Sequence, residues 1–390
     1  MQDCCDDLAQ HRGKSLSKVA LHNRFNNKGF DFLKSVLAEQ ISSKLGIAGE
    51  NNWQAFNRVM VADSCKFALP EKFKEDYPAY TGKYAKSLMN IQYCFDLKNG
   101  NWEGLELTKA TENDLAYTKR TLEQISGGDL YIRDLGYVSH AYLFKIVEEG
   151  AFFINRLHPL WNPALCDTGE KVNWVSLYKK MEQTRSAHFE TMITIGEGQD
   201  AFNCRLIAVP EEVWAERIRK ANIRAKSVGY KLTDEYKHRC RFSLFITNTT
   251  QQMLKGAEIV QLYRLRWQIE LVFKTWKSLL NLHLVKVVKK DRLECQLIGK
   301  FIWTLINWKV FRCVDVFVRN KSKHHACSIW RFFKQAKKYG WALRMLVVGE
   351  LLFTDWCKIL LFNIKSLLIE PKKGKKAGFI IVNDIFNPLS

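Results

Sequence analysis

The stretch LYIRDLGYVSHAYLFKIVEEGAFFI, residues 130–154, contains the features that decide the fold. The segment Leu130-Tyr131-Ile132-Arg133, apolar in its first three residues, is typical of a short buried strand that ends at Asp134. The segment from about Ser139 to Glu149 predicts a helix, and Gly150 separates it from a second strand at 152–154. A strand, a helix and a strand in succession indicate a sheet with helices packed on it.

Upstream, the same architecture begins with an apolar run at 59–62 that ends in Asp63. Strand-like runs at 87–95 and 102–107 flank Asn99-Gly100, which predicts a hairpin whose two central residues have positive φ. Residues 111–114 have capping-box spacing and open a helix that should run to about Gln124. The order of elements predicts an α/β (α+β) mixed-sheet core.

Downstream, residues 158–247 interrupt this core with a β-rich insertion. Its predicted strands lie at 191–195, 204–209 and 242–247, with a helix at 211–227, and helix dominates from Gln252 to about Leu368. We therefore expect five regions, which are a helical N-terminal region at 1–52, the core at 53–157, the insertion at 158–247, the core's second part at 248–310 and a basic helical C-terminal region at 311–390.

The N-terminal region has helical spacing, with Ser15 as a cap and a helix at 30–45. It is nearly neutral, since residues 1–50 contain seven Lys and Arg against six Asp and Glu. A small DNA-reading module and a helical packing or dimerisation arm therefore remain equally open.

The charge of the chain is concentrated in its last third. Of the net +20, +17 lies between Gln251 and the C-terminus, where 26 Lys and Arg face nine Asp and Glu. This excess favours a polyanionic partner, first nucleic acid and second an anionic membrane surface. The composition, 47% hydrophobic and 26% charged, excludes a mostly disordered or fibrous chain.

Several features predict a cytoplasmic protein. No stretch approaches the roughly 20 uninterrupted apolar residues of a membrane span. The sequence MQDCCDDLAQ at the N-terminus is acidic and lacks an apolar signal core. Eleven cysteines without a C-x-x-C pair indicate mostly buried thiols in a reducing compartment.

The segment 259–277 carries four polar residues that a single helix would align. At about 100° per residue, Tyr263, Arg266, Glu270 and Lys277 form one stripe at the rim of the apolar face. An ordinary solvated ionic face, with Arg266 and Glu270 as an i,i+4 pair, is the alternative. Carboxylates at a core edge are costly unless they are paired or hold a metal.

Two further carboxylates, Asp63 and Asp134, end predicted strands, where ligands of open sheets gather. Each alone is typical of a cap or turn residue. If Asp63, Asp134 and Glu270 converge, their oxygens would suit a hard cation such as Mg²⁺.

Together these residues resemble a known family. Tyr263, Arg266, Glu270 and Lys277 match the Y-(2)-R-(3)-E-(6)-K signature of the IS4 family of bacterial insertion-sequence transposases. Asp63-Ser64-Cys65 resembles that family's first-aspartate motif, although a small hydroxyl residue or Gly is expected at position 65, and Asp134-Leu135-Gly136-Tyr137 resembles the second. The resemblance covers roughly residues 55–310.

The resemblance implies a DDE transposase with a ribonuclease-H-like core. Asp63, Asp134 and Glu270 would hold two Mg²⁺ (or Mn²⁺) ions for in-line attack on phosphorus. The family cuts element ends through a DNA hairpin intermediate and joins them to target DNA. The expected partners are double-stranded DNA, as inverted-repeat ends and target, and a second copy in a homodimer, in a nucleoid-associated cytoplasmic complex.

By the same analogy, Tyr263, Arg266 and Lys277 would contact DNA phosphates, with Lys274 and Trp267 as neighbouring DNA contacts. Relatives that form hairpins stack a flipped base on an aromatic residue, often Trp, in the insertion's last strand. Residues 241–247 contain no Trp, but Phe242 or Phe245 could serve, although both suit the core equally well; Trp161 and Trp174, at the start of the insertion, are less favoured alternatives.

Three other functions remain open on the sequence. One is a ribonuclease-H-like DNA nuclease that does not join strands, and another is a non-catalytic DNA-binding protein derived from a transposase. The intact carboxylate trio argues against the latter, because binding alone does not require it. A membrane-surface protein is the most distant alternative.

Overall fold

A nine-stranded mixed sheet with helices around it dominates the computed structural model, which describes residues 2–44, 55–80, 85–184, 186–321, 326–362 and 364–369. This confirms the expected α/β (α+β) class. Of the predicted basic C-terminal region at 311–390, residues 322–325, 363 and 370–390 lie outside the described residues.

The elements up to the end of the insertion are α1 (Gln2–Arg12), α2 (Lys18–Arg24), α3 (Asn27–Ser42), β1 (Val59–Ala68), β2 (Leu88–Asp96), β3 (Asn101–Lys109), α4 (Asp114–Arg120), β4 (Leu130–Arg133), α5 (His140–Glu148), β5 (Phe152–Arg156), β6 (Ala164–Leu165), α6 (Trp174–Thr184), β7 (Phe189–Ile195), β8 (Phe202–Pro210), α7 (Trp214–Val228), α8 (Asp234–Arg239) and β9 (Phe242–Thr247). The remaining elements are α9 (Gly256–Leu265), α10 (Gln268–Ser278), α11 (Lys290–Lys321), β10 (Ala326–Cys327), α12 (Ile329–Lys338), α13 (Gly340–Val348), α14 (Phe353–Leu361) and β11 (Leu368–Ile369).

The chain divides into two compact units, and strand β1 contributes to both. The first unit comprises Met1–Glu50, Ser64–Thr111 and Trp267–Ala377. The second unit comprises Asn51–Asp63, Glu112–Arg266 and Gly378–Ser390.

In the second unit, three parallel strands position the functional residues. β1 pairs with β4 from Val59 opposite Leu130 to Ala62 opposite Arg133, and β4 pairs with β5 in the same direction. β9 then pairs antiparallel to β5, so the insertion extends the same sheet through β9, β8, β7 and β6. The predicted insertion strands and the helix at 211–227 are confirmed, whereas helices α6 and α8 were not predicted.

In the first unit, the predicted hairpin is present as β2 and β3. The carboxylate of Asp96 accepts hydrogen bonds from the backbone amides of Lys98 (3.0 Å) and Asn99 (3.3 Å), and the amide of Gly100 donates to the carbonyl of Asp96 (2.7 Å). Gly100 has φ +65°, but Asn99 does not have a positive φ. The expectation for Asn99 was therefore wrong, because the Asp96 side chain supports a turn with one left-handed residue.

Aromatic rings form the core of the first unit. Tyr93 of β2, Trp102 of β3 and Trp276 of α10 are each at most 2% exposed. The Trp276 ring centroid lies 5.0 Å from that of Tyr93 and 5.4 Å from that of Trp102. Edge-to-face and tilted contacts at these distances stabilise a core beyond the area that they bury, so the β2–β3 hairpin and α10 pack as one body.

Two smaller expectations require correction. Ser17, rather than Ser15, caps α2, since its hydroxyl accepts a hydrogen bond from the amide of Ala20 at 3.1 Å. Strand β1 does not end at Asp63 but runs to Ala68, because Cys65 and Phe67 continue a buried alternation with exposed neighbours.

The segment 259–277 is two helices rather than one. α9 ends at Leu265 and α10 begins at Gln268. At the break, the amide of Arg266 donates to the carbonyl of Tyr263 (3.2 Å) and that of Glu270 donates to Trp267 (3.1 Å), so the turn is tightened to three-residue spacing. The predicted single stripe is therefore divided between α9 and α10.

All eleven cysteines are thiols, but five rather than most of them are buried. Among the described residues, no helix is both long and apolar enough to cross a membrane.

Candidate active site

Asp63 and Asp134 lie side by side where the pairing of β1 with β4 ends. Ala62 pairs with Arg133 in the parallel register of β1 and β4, and the two aspartates are the next residue on each strand. Asp134 keeps extended backbone (φ −70°, ψ 158°), and a turn at Leu135–Tyr137 then carries the chain away over the fully buried Tyr137. The sheet therefore presents two carboxylates from adjacent strands, as the sequence predicted.

A guanidinium group joins these two carboxylates. Nη1 of Arg266 lies 2.7 Å from Oδ2 of Asp63, and Nη2 lies 3.4 Å from Oδ1 of Asp134. The side chains of Arg266 and Asp63 are 16% and 17% exposed, whereas that of Asp134 is 46% exposed. One cation at the end of α9 is thus shared by two carboxylates at a partly buried position.

Tyr263 lies one turn before Arg266 on α9. Its side chain is buried, and its ring packs edge-on against Phe245 of β9 with centroids 5.2 Å apart. Burial raises the pKa of Tyr263, the charge of Asp134 raises it further, and Arg266 and Arg156 oppose the shift. The Arg266 guanidinium is close enough to act on it, but among the described residues no atom meets its hydroxyl group with hydrogen-bond geometry. The site therefore includes one buried hydroxyl with open hydrogen-bonding capacity.

Arg156 is a charged residue near Tyr263 that was not predicted from the sequence. It is the last residue of β5, the third parallel strand, and its charge acts on Tyr263. Its side chain has no ion pair or hydrogen bond with any residue that the structure describes. A signal was available, because Arg156 lies two residues after the predicted strand at 152–154, close to the position that Asp63 and Asp134 have after their predicted strands.

The other predicted residues of the signature lie on α10 in the first unit. Glu270 is exposed in the first turn of this helix, and Trp267 just before it is 56% exposed. Nζ of Lys277 donates to the carbonyl of Lys66 at 3.1 Å. Lys274 is exposed, with its amine 5.8 Å from the centroid of a Trp330 ring.

Phe242 occupies the core of the second unit. It is 3% exposed, and its ring packs against Trp174 and Tyr178 at centroid distances of 6.3 and 5.9 Å. Phe245 is equally buried against Tyr263. In this conformation neither ring is open to a base, so the expected stacking role has no exposed aromatic in β9 to perform it.

The carboxylates of Asp63 and Asp134 are part of the set of ligands that a divalent cation would need. Asp63 and Asp134 already share one positive group, and carboxylate oxygens are the ligands that Mg²⁺ and Mn²⁺ prefer. Within the described residues, no group of three or more His, Cys, Asp and Glu side chains could hold a metal ion. The second unit therefore supplies two neighbouring carboxylates, with Arg266 as the cation between them.

Comparison with known proteins agrees with this geometry. A family model described as Transposase DDE domain matches residues 54–306. The transposase for insertion sequence element IS231B of Bacillus thuringiensis subsp. berliner is 28% identical over 316 residues, and the IS231C transposase is 29% identical over 317. Each match covers 76% of this chain and 66% of the relative, so the chain spans about two thirds of their length.

A third relative is similar over nearly the whole chain. The transposase for insertion sequence element IS1151 of Clostridium perfringens is 26% identical over 405 aligned positions, which cover 95% of this chain and 82% of the relative. The family match includes Asp63, Asp134 and the Y-R-E-K signature, and the DDE domain depends on divalent metal ions and acts on DNA. The chain therefore belongs to the DDE transposase family of bacterial insertion sequences.

Proposed function

We propose that this chain cuts the ends of an insertion sequence and joins them to target DNA by metal-dependent phosphoryl transfer. The observation that carries the proposal is the pair of carboxylates, Asp63 and Asp134, that adjacent parallel strands bring to one shared cation. A protein that only binds DNA has no need of two acidic side chains at such a position, because they repel phosphate.

Asp63 and Asp134 are the proposed metal ligands of the second unit, and Glu270 is the proposed third. Glu270 is supported by its place in the family signature and by its exposure, which leaves its carboxylate available. Two Mg²⁺ or Mn²⁺ ions would activate the attacking oxygen and stabilise the leaving oxygen. Asp63, anchored in β1 with a mostly buried side chain, would fix the position of this ligand set.

Three residues of the signature are proposed to bind DNA phosphates next to the ligand set. The guanidinium of Arg266 can form two parallel hydrogen bonds with phosphate oxygens, and the unpartnered hydroxyl of Tyr263 can donate a third. Lys277 and Lys274 would add charge contacts, and the exposed ring of Trp267 would stack on a base.

The proposed substrate is double-stranded DNA, bound by a homodimer that holds two element ends. The charge distribution supports this partner, since +17 of the net +20 lies after residue 250. Dimerisation is expected because joining two ends requires two active sites.

The experiment uses the full chain and a duplex that carries the inverted repeats flanking its gene. Asp134→Asn and Glu270→Gln proteins should bind this duplex as the unchanged protein does, yet nick it at least about 100-fold more slowly with Mg²⁺. Asp200→Asn and Glu123→Gln, at exposed positions, are matched controls that should nick normally. Full nicking by Asp134→Asn would overturn the catalytic assignment. Full nicking by Glu270→Gln would overturn the assignment of Glu270 as the third metal ligand.

Strand joining distinguishes a transposase from a nuclease. The unchanged protein should insert a pre-cut end with a free 3′-hydroxyl into plasmid DNA. Cleavage of the duplex without any such insertion would assign the chain to the hydrolytic alternative.

A further inference from the structure

The cation between the proposed metal ligands belongs to the protein itself. Arg266 contacts Oδ2 of Asp63 at 2.7 Å and Oδ1 of Asp134 at 3.4 Å. A Mg²⁺ ion bound by these oxygens would lie about 2.0–2.1 Å from each of them. The guanidinium and such an ion therefore cannot use the same two oxygens at the same time.

The guanidinium of Arg266 offsets only part of the charge of the two carboxylates. Asp63 and Asp134 carry two negative charges and Arg266 carries one positive charge, whereas a divalent ion carries two. This difference favours a metal ion, but only after the metal has displaced a group that is 16% exposed and held by two ion pairs. Both cations consequently compete for one site.

The proposed contact of Arg266 with DNA gives its side chain an alternative position, away from the two carboxylates. A DNA phosphate can form the same bidentate contacts with a guanidinium as a carboxylate does. Arginine has several rotatable side-chain bonds, so the exchange requires no change in α9. The residue therefore has two alternative anionic partners, one in the protein and one in the substrate.

We infer that Arg266 is an internal counter-cation that occupies the metal-binding carboxylates Asp63 and Asp134 until a DNA phosphate draws it away. This inference rests on the proposed function. It makes metal loading depend on substrate, because a phosphate that holds Arg266 frees both carboxylates. By linkage, bound metal must then raise the affinity for DNA by the same factor.

The test measures Mn²⁺ binding to the full chain without DNA, from the electron paramagnetic resonance signal of the free ion. Arg266→Ala should bind Mn²⁺ about 10-fold more tightly than the unchanged protein. Arg156→Ala is the matched control, because it removes a nearby positive charge that has no ion pair with the described residues. This control should change the Mn²⁺ affinity by less than about threefold.

Two double variants distinguish a failure of the counter-cation role from a failure of the proposed metal site. Asp63→Asn and Asp134→Asn, each combined with Arg266→Ala, should lose the tight Mn²⁺ site. If they lose it while Arg266→Ala alone binds no more tightly than Arg156→Ala, the counter-cation role is overturned and the metal site stands. If neither Asp63→Asn nor Asp134→Asn changes Mn²⁺ binding, with or without Arg266→Ala, both the proposed function and the inference are overturned.

A milder substitution protects the test against misfolding. Arg266→Lys keeps the positive charge but replaces a fork of donors by one ammonium group, which cannot bridge two carboxylates in the same geometry. It should bind Mn²⁺ more tightly than the unchanged protein, and Mn²⁺ should raise its melting temperature by more. An equal Mn²⁺-induced shift in the two proteins would contradict the inference.

Discussion

Arg58 and Asp129 form an ion pair just before the paired segments of β1 and β4, and Asp63 and Asp134 directly follow the same two segments. Nη2 of Arg58 lies 2.5 Å from Oδ2 of Asp129, which is 1% exposed. Each residue directly precedes its strand, so the pair is one step before Val59 opposite Leu130 in the register. The contact fixes the alignment of β1 and β4, and with it the meeting of the two catalytic candidates.

Arg58→Ala should therefore destabilise the second unit. It leaves the buried Asp129 carboxylate without its cation, and such a loss lowers the free energy of unfolding by about 3 kcal/mol. Urea denaturation followed by circular dichroism measures this change. Lys358→Ala, which removes an exposed partner of Asp355, should show no measurable change. Equal stability of the two variants would contradict the role of the Arg58–Asp129 pair.

The strands of the sheet could be predicted because their signals are local. The buried run at 130–133 and the alternating or apolar segments of the insertion each lie within a few residues, and all became strands. The juxtaposition of Asp63 with Asp134 followed from strand order and was also predictable. Arg156 could have been found by the same rule.

The break between α9 and α10 could not be predicted. No Gly or Pro lies between Gly256 and Ser278, and both Leu265 and Ile269 are buried, so the apolar pattern continues through the turn. The break depends on two backbone hydrogen bonds with three-residue spacing, which leave no trace in the sequence. The ion pairs of Arg266 were missed for the same reason, since a single helix had placed it beside Glu270.

Glu294 should make stability depend on pH. Burial raises the pKa of this carboxyl above its ordinary value of 4.5, although a hydrogen bond from the hydroxyl of Tyr77 and the charge of Lys290 oppose the shift. A raised pKa means that the folded state favours the protonated form. The stabilisation from Glu294 is therefore complete below about pH 4.5 and is lost as the pH rises through the raised value.

Glu294→Gln tests the predicted direction of this pH dependence, because the amide keeps a hydrogen-bond acceptor for Tyr77 and carries no charge. The variant should have a higher free energy of unfolding than the unchanged protein at pH 8, and the difference should shrink at pH 4. Urea denaturation at both pH values measures it. A variant that is equally or less stable at pH 8 would show that the ionised carboxylate is not penalised.

Lys274 should contribute to the salt dependence of DNA binding. If its exposed ammonium group contacts a phosphate, Lys274→Gln should reduce the slope of log K against log salt by about 0.9 in magnitude. Fluorescence anisotropy with a labelled duplex between about 50 and 200 mM salt measures the slope. Lys358→Gln is the control, since Lys358 is exposed and paired with Asp355. Identical slopes for the two variants would show that Lys274 does not contact a DNA phosphate.

Tyr263→Phe should separate activity from stability. The substitution removes a hydroxyl that is buried without a hydrogen-bond partner among the described residues and keeps the ring against Phe245. The free energy of unfolding should therefore stay within about 0.5 kcal/mol of the unchanged protein or rise slightly, because burying an unpaired hydroxyl is unfavourable.

DNA cleavage by the same variant should nevertheless fall about 10-fold, since the hydroxyl would no longer donate to a phosphate oxygen in the transition state. Urea denaturation and a nicking assay on one preparation give both numbers. Phe245→Leu is the matched control, because it disturbs the packing of the Tyr263 ring while the hydroxyl remains, and it should lower stability more than Tyr263→Phe does. If Tyr263→Phe lowers stability and leaves nicking intact, the hydroxyl serves the fold, and the open hydrogen-bonding capacity beside Asp134 has no part in binding DNA.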